Sequence, residues 1–395
     1  MSTRTIKAAF GAAAVASTLV LAACGGSSGG TTSSAPASSS APASESASAS
    51  ASASETAAVT ADVEGAKALI AAYTGQPSAF PIDTPLAKKA TGKRIAFIDC
   101  GTPICGIFAA VLDPAAKALG MEVTVIKGGF EPDKVQAAFD TVIQDKYDGV
   151  IVPALPPQLW QRQLDQLAAA GIPVATTGVI GADPAKVPVQ QAGQVLDEKS
   201  GALLAAQVVA DQGDKANVVI YDTPELSFIR VIVDSFKTKL AELCPTCTVR
   251  EVQIPVAQFG TTATQTVVSD LQANPESNYL VFPTGEAAHG LPAALDTAGL
   301  KVATLVGSAD PVNLQDVKDG KIDRVLAVDL PVIMFTLADT MARQTTGEPP
   351  APGALADATP IQFLTKSDVT YDVSKGWVGY PDFFDRFMAL WSQAK

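Results

Sequence analysis

From Lys93 onward, short apolar segments alternate with segments of helical spacing, and this alternation constrains the fold more than any other feature of the sequence. The segment from Arg94 to Asp99 is an example, since it is apolar and is followed by a helix-like stretch that stops at Gly120. Strands that are apolar along their whole length are typical of a sheet with helices on both faces. Strict strand–helix alternation indicates parallel sheets with right-handed crossovers. The sequence therefore predicts an α/β fold.

The number of strand–helix units is too large for one compact sheet and predicts two Rossmann-like lobes with parallel sheets, joined by a hinge. Predicted strands cover 94–99, 122–126, 149–153, 173–177, 216–221, 248–253, 279–283 and 302–307. Predicted helices cover 107–119, 132–144, 159–170, 195–212, 229–243, 261–273 and 287–298. Open α/β sheets bind ligands at the carboxyl ends of their strands, so two facing lobes would form a binding cleft.

The N-terminus has the layout of an export signal. Two basic residues precede an apolar run from Ala8 to Ala23 that is too short to span a bilayer comfortably. The run closes with Leu21-Ala22-Ala23-Cys24, which resembles a bacterial lipobox, where the cysteine receives a diacylglyceryl group. We predict a lipoprotein signal peptide over 1–23 and a lipidated Cys24 as the first residue of the mature chain. The alternative is an ordinary cleavage site that happens to precede a cysteine.

The segment 24–58 is almost entirely Gly, Ser, Thr, Ala and Pro, which predicts a disordered tether. Residues 59–92 follow as a lead-in, for which we predict a short helix over 61–75 and irregular structure thereafter. No segment after Cys24 has the length and apolar character of a transmembrane run. We therefore predict a protein held at the extracytoplasmic face of a bacterial cell membrane by its lipid.

The chain is acidic, and its charge argues against two classes of partner. Its 28 Lys and Arg residues and 40 Asp and Glu residues give a formal net charge of -12. Removal of 1–23, with its two basic residues, changes that charge to -14. A surface of this sign argues against nucleic acid and against direct adsorption on anionic lipid.

The other cysteines form two local pairs, Cys100 with Cys105 and Cys244 with Cys247. An even number of cysteines in an exported chain predicts two disulfides that each close a short loop. A shared zinc site would require both pairs to converge from distant parts of the sequence. A redox role for the second pair is the other alternative, but this pair follows a predicted helix, so no helix N-terminus would activate a thiol.

Several segments resemble the type I periplasmic-binding-protein family, in particular the ribose-binding branch of ABC-importer receptors. These segments are Lys93–Phe97, Gln144–Pro153, Ala170–Val174, Gly285–Gly290 and Asp319–Asp323. The resemblance implies a monomeric receptor that closes on a small-molecule ligand and delivers it to an ABC permease, without catalysis, cofactor or metal. A receptor that presents its ligand to a membrane sensor is the alternative.

The resemblance also implies how the chain divides between the lobes. Lobe 1 would comprise residues 93–178 and about 330–358, and lobe 2 would comprise residues 179–329 and about 359–395. DNA-binding repressors share the fold but carry a helix-turn-helix at the N-terminus, where this chain has its lipobox-like segment. The resemblance therefore favours a receptor over a repressor.

The same resemblance places candidate ligand-binding residues. Sugar receptors of this branch often show Asn-Pro-Phe-Phe after the first strand, where this chain has Thr102-Pro103-Ile104-Cys105. Arg230 matches the spacing of the family's sugar-binding arginine, while Thr284, Asp310 and Asp329 fall at or near positions of polar ligand contacts. The complete set of candidates is Thr102, Ile104, Phe228, Arg230, Thr284, Asp310 and Asp329.

These candidates also have simpler alternative roles. Arg230 would be a helix-surface residue in a weak salt bridge, and Asp310 and Asp329 would be helix caps or turn residues. Phe228 would pack in the core. The aromatic platform of the sugar receptors is absent, so two ligand classes stay open. One is a sugar, by resemblance, and the other is a less polar or carboxylate-bearing compound that Arg230 would bind.

No nucleophile, zinc-hydrolase or P-loop motif occurs at a predicted strand–helix junction. His289 is the only histidine, lies inside the predicted helix 287–298 and is interpreted as a packing or surface residue. Trp160 is predicted to pack on its own lobe. The sequence therefore predicts a binding protein rather than an enzyme.

Overall fold

The computed structural model describes residues 60–395, so the predicted signal peptide, Cys24 and the tether lie outside the described residues. The lead-in begins with helix α1 (Val63–Ala71), which is shorter than predicted and packs against lobe 2. The rest of the described chain forms two α/β lobes, each built on its own sheet. This confirms the predicted fold class.

Lobe 1 is built on a wholly parallel five-stranded sheet with the order β2-β1-β3-β4-β5. Its strands are β1 (Arg94–Asp99), β2 (Glu122–Lys127), β3 (Gly149–Pro153), β4 (Val174–Thr177) and β5 (Val189–Gln191). Its connecting helices are α2 (Pro103–Ala118), α3 (Pro132–Gln144) and α4 (Gln161–Ala169). Every residue of β3 is buried, as expected for a strand covered on both faces.

Lobe 2 is built on a six-stranded sheet with the order β11-β10-β9-β8-β6-β7, in which β11 pairs antiparallel with β10 and the other pairs are parallel. Its strands are β6 (Asn217–Asp222), β7 (Thr248–Gln253), β8 (Tyr279–Phe282), β9 (Ala303–Gly307), β10 (Arg324–Val328) and β11 (Ile361–Leu364). Its helices are α5 (Gln194–Gln212), α6 (Ser227–Leu243), α7 (Ala263–Ala273), α8 (Leu291–Ala298) and α9 (Pro311–Asp319). Strands β10 and β11 were not among the predicted strands.

The remaining helices cover lobe 1. These are α10 (Leu330–Thr346), α11 (Pro352–Leu355) and α12 (Phe383–Trp391). Helix α10 packs against α2, and α12 packs against α10, where the rings of Phe335 and Trp391 stack with centroids 5.8 Å apart. Trp160 is fully buried and stacks on Phe139 of lobe 1 at 4.8 Å, which confirms the packing predicted for it.

Two parts of the predicted division between the lobes are wrong. Strand β5 hydrogen-bonds to β4 in the sheet of lobe 1, whereas the sequence-based boundary places residues 179–329 in lobe 2. Helix α12 is held on α10 by aromatic packing and therefore covers lobe 1, whereas residues 359–395 are predicted for lobe 2. Strand β11 does lie in lobe 2, as predicted, because it pairs with β10.

Several chain segments pass between the lobes, and hydrogen bonds tie three of them, at residues 191–194, 328–330 and 355–361, into one hinge. The carboxylate of Asp357 accepts from the amides of Ala192 and Gly193, both at 2.8 Å. The amide of Asp329 donates to the carbonyl of Pro360 at 3.0 Å. Because these three crossings are bonded to one another, they are suited to act as a single hinge axis for the two lobes.

The two predicted disulfides are present. Cys100 is bonded to Cys105 with a Cα–Cα distance of 5.9 Å, and Cys244 is bonded to Cys247 with a distance of 5.3 Å. Since each sulfur is bonded within its own pair, the alternative of a shared zinc site does not hold.

The predicted helix 287–298 is wrong in its first turn. A 3₁₀ turn covers Gly285–Ala288, Gly290 adopts a left-handed conformation with φ 77°, and α8 begins only at Leu291. His289 therefore lies in the bend between two helical segments and not inside a helix. This bend turns its side chain towards Asp310 of the neighbouring loop.

Candidate functional site

A cavity with an empty volume of about 790 Å³ lies between the lobes, at the carboxyl ends of the strands. Lobe 1 contributes the start of α2 and the ends of β3 and β4 to its lining, and lobe 2 contributes α5 and the loops after β6, β8 and β9. The hinge closes the back of the cavity with Val328, Leu330 and Ile333. The cavity is therefore bounded by both lobes and by the axis about which they can move.

Most of the residues singled out from the sequence line this cavity. Those that do are Thr102, Ile104, Phe228, Thr284 and Asp310. The ring of Phe228 lies directly against Gly178, where a Cβ on the glycine would lie at an ordinary contact distance of 3.5 Å from the ring. Gly178 has φ 63°, so it is the backbone conformation of this side of the wall that favours glycine.

Arg230 is not among the residues lining the cavity. Its guanidinium donates to Glu251 of β7 at 2.7 Å and to Asp222 of β6 at 3.3 Å, and it also pairs with Asp234 at 2.8 Å. The Arg230 hydrogen bond holds the pKa of Glu251 at about 2, against the effect of partial burial. The side chain is 41% exposed. The sequence-based placement of Arg230 in the cavity is thus corrected, because acidic side chains on two strands of its own lobe bind it.

Asp329 also lies outside the cavity lining. It is fully buried at the hinge, where it caps α10 by accepting from the Val332 amide at 3.0 Å. Its second oxygen accepts from the Gly379 amide at 2.7 Å. Burial raises the pKa of Asp329 to about 7, although both amide hydrogen bonds oppose the shift. Asp329 therefore caps a helix, which was the alternative role considered for it. Through the Gly379 amide, its carboxyl group also links the hinge to the segment before α12.

Asp310 combines a cap with a position in the cavity wall. One carboxylate oxygen accepts from the amides of Val312 and Asn313, which forms the capping box of α9. The other oxygen lies 2.5 Å from His289 Nε2. Burial alone would lower the pKa of His289, but the hydrogen bond to Asp310 raises it overall. The histidine therefore orients Asp310 from behind the cavity.

Glu286 was not predicted from the sequence, although it lines the cavity. It comes from lobe 2, is 5% exposed and accepts from the Ile104 amide of lobe 1 at 3.1 Å. Thr102, the N-cap residue of α2, makes no side-chain capping bond, so Glu286 supplies the cap from the opposite lobe. Burial raises the pKa of Glu286, and the Ile104 amide opposes this effect.

Asp197 was likewise not predicted, and it is the least satisfied polar group in the wall. It lies in the first turn of α5, is 4% exposed and lines the cavity. None of residues 60–395 donates a hydrogen bond to its carboxyl group, and its Oδ2 is completely buried. Burial and the neighbouring Asp357 raise the pKa of Asp197 well above the usual range. Because Glu198 follows directly and Asp211 lies on the same helix, the sequence of α5 does not single out Asp197.

The chemistry of the cavity is that of a binding site. Its described lining contains the carboxyl groups of Asp197, Glu286 and Asp310, several hydroxyl groups and many apolar side chains, but no Lys, Arg or His. His289, the nearest base, is hydrogen-bonded to Asp310, and no serine or cysteine of residues 60–395 is hydrogen-bonded to its ring. This arrangement can bind and orient a small molecule, and it lacks a nucleophile–base pair.

Within residues 60–395, none of the helices combines the length and the apolar character needed to cross a membrane.

Comparisons with known proteins agree with this architecture. The chain is similar in structure to an ABC sugar transporter subunit from Rhodobacter sphaeroides 2.4.1, with a TM-score of 0.59 and 22% sequence identity over 70% of this chain and 99% of that one. It is also similar to a 5-methylthioribose transporter solute-binding protein from Thermotoga lettingae TMO in complex with 5-methylthioribose, with a TM-score of 0.63 and 14% identity over 75% and 98% of the two chains.

A third similar structure is a carbohydrate transporter from Acidothermus cellulolyticus 11B in complex with myo-inositol, with a TM-score of 0.61 and 16% identity over 75% of this chain and 99% of that one. The comparison with curated proteins returned no match. In the comparison with protein families, residues 106–349 match the periplasmic binding protein domain. This family consists of substrate-binding proteins of ABC transporters and not of enzymes. The chain belongs to the periplasmic-binding-protein family with the type I fold, and its role is to bind a solute.

Proposed function

We propose that this protein is a monomeric, extracytoplasmic receptor that captures a sugar-sized molecule between its lobes and delivers it to an ABC permease. The observation that carries this proposal is the cavity itself, which both lobes line and the hinge closes from behind. Three similar structures are transporter components, and two of them hold 5-methylthioribose and myo-inositol.

Closure would be driven by contacts that exist only when the lobes meet. A ligand shifts an equilibrium between open and closed forms only by binding one form more tightly than the other. The hydrogen bond from the Ile104 amide to Glu286 joins the lobes at the N-terminal end of α2. A ligand that touches α2 on one side and α5 on the other would add to this bond and favour the closed form, which is the form a permease would receive.

A thermal-shift screen of the full-length protein against sugars, polyols, amines, carboxylic acids and nucleosides tests receptor function. A ligand present at about 100 times its Kd stabilises the native state by about 2.7 kcal/mol, which is a readily measured shift in Tm. Ile104→Trp places a large ring in the cavity and should abolish the shift, whereas Val195→Trp, at an exposed position on α5, should retain it. Equal shifts in the two variants would place the ligand elsewhere and contradict the proposal.

We also propose that the receptor is anchored to the membrane through a lipid on Cys24, with 1–23 removed and 24–58 as a flexible tether. A tether of this length has a root-mean-square reach of roughly 30 Å. Cys24→Ser should release the protein from the membrane fraction or leave it as an uncleaved precursor, with ligand affinity unchanged. Fractionation that finds the variant matured and anchored like the wild type would exclude the lipid anchor.

A further inference from the structure

The carboxyl group of Asp197 has no partner within the described protein, although it is almost completely buried. It is 4% exposed, lies in the cavity wall and accepts no hydrogen bond from residues 60–395. Burial of a carboxylate without a partner is unfavourable, and proteins normally pair such groups. The N-terminal turn of α5 offsets part of this cost through its dipole, but it donates no hydrogen bond to the side chain. The missing partner is therefore to be sought in the cavity.

The surroundings of Asp197 determine the charge of that partner. The other acids of the wall are already bonded, Glu286 to the Ile104 amide and Asp310 to the start of α9 and to His289. The lining contains no Lys, Arg or His that could neutralise them. A narrow cleft with acidic groups and apolar walls focuses a negative potential and attracts cations.

We propose that the ligand carries a protonated amine that pairs with Asp197, while an apolar part of the ligand packs against Leu196, Leu226 and Phe228. This inference rests on the proposed receptor function and specifies its ligand class. A carboxylate-bearing ligand, which was one expectation from the sequence, depended on Arg230, and that arginine lies outside the cavity lining. An anion in the cavity would meet acidic groups and no base.

An ammonium group satisfies Asp197 better than the other available donors. A neutral hydroxyl donates one hydrogen bond but leaves the buried charge uncompensated, whereas an ammonium donates a shorter, charge-assisted bond and neutralises the carboxylate. A metal ion is a poor alternative, because calcium and magnesium require six or more oxygen ligands and the neighbouring acids are already engaged. The geometry therefore favours an organic cation.

Two matched probe series test this inference on the full-length protein by calorimetric titration and thermal shift. One series is cyclohexylamine, cyclohexanol and cyclohexanecarboxylate, and the other is D-glucosamine, D-glucose and D-glucuronate. We expect the amine of at least one series to bind about tenfold or more tightly than its hydroxyl and carboxylate analogues. Asp197→Asn should weaken amine binding by about 10- to 100-fold and should leave the hydroxyl analogue nearly unaffected.

Glu198→Gln is the matched control, because Glu198 is the next residue on the same turn of α5 and is exposed. It should retain wild-type affinity for the amine. Asp197→Ser removes the carboxyl group by a second route, should Asp197→Asn not fold. The inference is overturned if a hydroxyl or carboxylate analogue binds the wild type as tightly as the amine, if both Asp197 variants retain amine affinity, or if neither amine binds.

These outcomes are distinguishable from a failure of the receptor itself. If a neutral or anionic probe binds and Ile104→Trp blocks it, the receptor function holds and only the amine specificity is wrong. If the library screen yields no compound whose binding Ile104→Trp blocks, the receptor proposal fails together with the inference.

Discussion

Buried carboxyl groups differ in their hydrogen bonding between two regions of the molecule. Behind the hinge, in the seam between α10 and α12, Asp339 accepts from Arg343 Nε at 2.6 Å and from Trp391 Nε1 at 2.8 Å. In the cavity wall, Asp197 accepts from none of residues 60–395. Burial raises the pKa of both groups, but only Asp339 has hydrogen bonds that oppose the shift. The buried acid of the seam is thus hydrogen-bonded within the protein, whereas the carboxyl group of Asp197 in the cleft is available to a bound molecule.

The buried carboxyl groups at the hinge are hydrogen-bonded within the protein, as in the seam. Asp329 and Asp357 each accept from two backbone amides, although burial raises the pKa of both groups. Buried acids with a structural role therefore have partners in this protein. The comparison teaches that burial alone does not mark a binding residue, and that Asp197 differs from the other buried acids because it combines a place in the cavity wall with a carboxyl group that accepts no hydrogen bond from the described part of the chain.

Breaking the seam should produce the largest loss of stability. Asp339→Ala leaves the Arg343 guanidinium buried, with Glu348 at 3.8 Å as its remaining acidic neighbour. Removal of one partner from a buried ion pair costs about 3–5 kcal/mol, so we expect a loss of that size in the free energy of unfolding, measured in urea. Asp382→Ala, at an exposed pair with Arg386, is the control and should cost less than about 1 kcal/mol. Equal losses in the two variants would contradict the comparison.

Neutralising Asp197 in the cavity wall should increase stability rather than reduce it. At pH 7 we expect Asp197→Asn to raise the free energy of unfolding of the ligand-free protein by about 1–2 kcal/mol, because it removes an unpartnered buried charge. The pKa of Asp197 is higher in the folded than in the unfolded state. Its carboxyl group therefore favours folding at low pH, and this contribution is lost as the pH rises from the unfolded value of about 3.9 through the folded pKa.

The pH dependence sharpens that test. Below about pH 3 the wild-type carboxyl group is protonated in both states, so the advantage of Asp197→Asn should disappear there. Urea unfolding at about pH 3 and pH 7 measures both values. A destabilising effect at pH 7 would mean that Asp197 has a partner within the protein, and the difference between seam and cleft would then be lost.

The architecture could be predicted from the sequence because it depends on local apolar periodicity. Buried strands such as β3 and long helices such as α5 can be identified from the spacing of apolar residues in their own sequence. Strands β5, β10 and β11 were not predicted. Strands β5 and β11 have only three and four residues and are defined by their pairing with a neighbouring strand, whereas β10 has the same length as β3 and an apolar pattern that the prediction overlooked. The error in the lobe boundaries follows from β5 and from α12.

The site was only partly predictable for a related reason. Thr102, Thr284 and Asp310 follow strands directly, and the carboxyl ends of strands form the cleft in this fold. Asp197 and Glu286 have no comparable local signal, since their roles come from burial and from a contact across the cleft. Sequence can place a residue at the end of a strand, but it does not show which carboxyl group lacks a partner.

Arg230 provides the smallest expected effect on ligand binding and separates the two regions once more. Its spacing in the sequence suggests a ligand contact, but parallel pairing of β6 with β7 brings Glu251 beside it, and this neighbour is invisible in the local sequence. Arg230→Ala should cost about 1–3 kcal/mol of stability, because Lys237 still binds Glu251 but the buried carboxyl group of Asp222 loses its guanidinium partner. Affinity for the cavity probes should be unchanged, because the arginine is outside the lining. Calorimetric titration of the variant with the tightest-binding probe decides the matter, and a tenfold weaker affinity would return Arg230 to the site and place a base in a cleft that otherwise presents only acids.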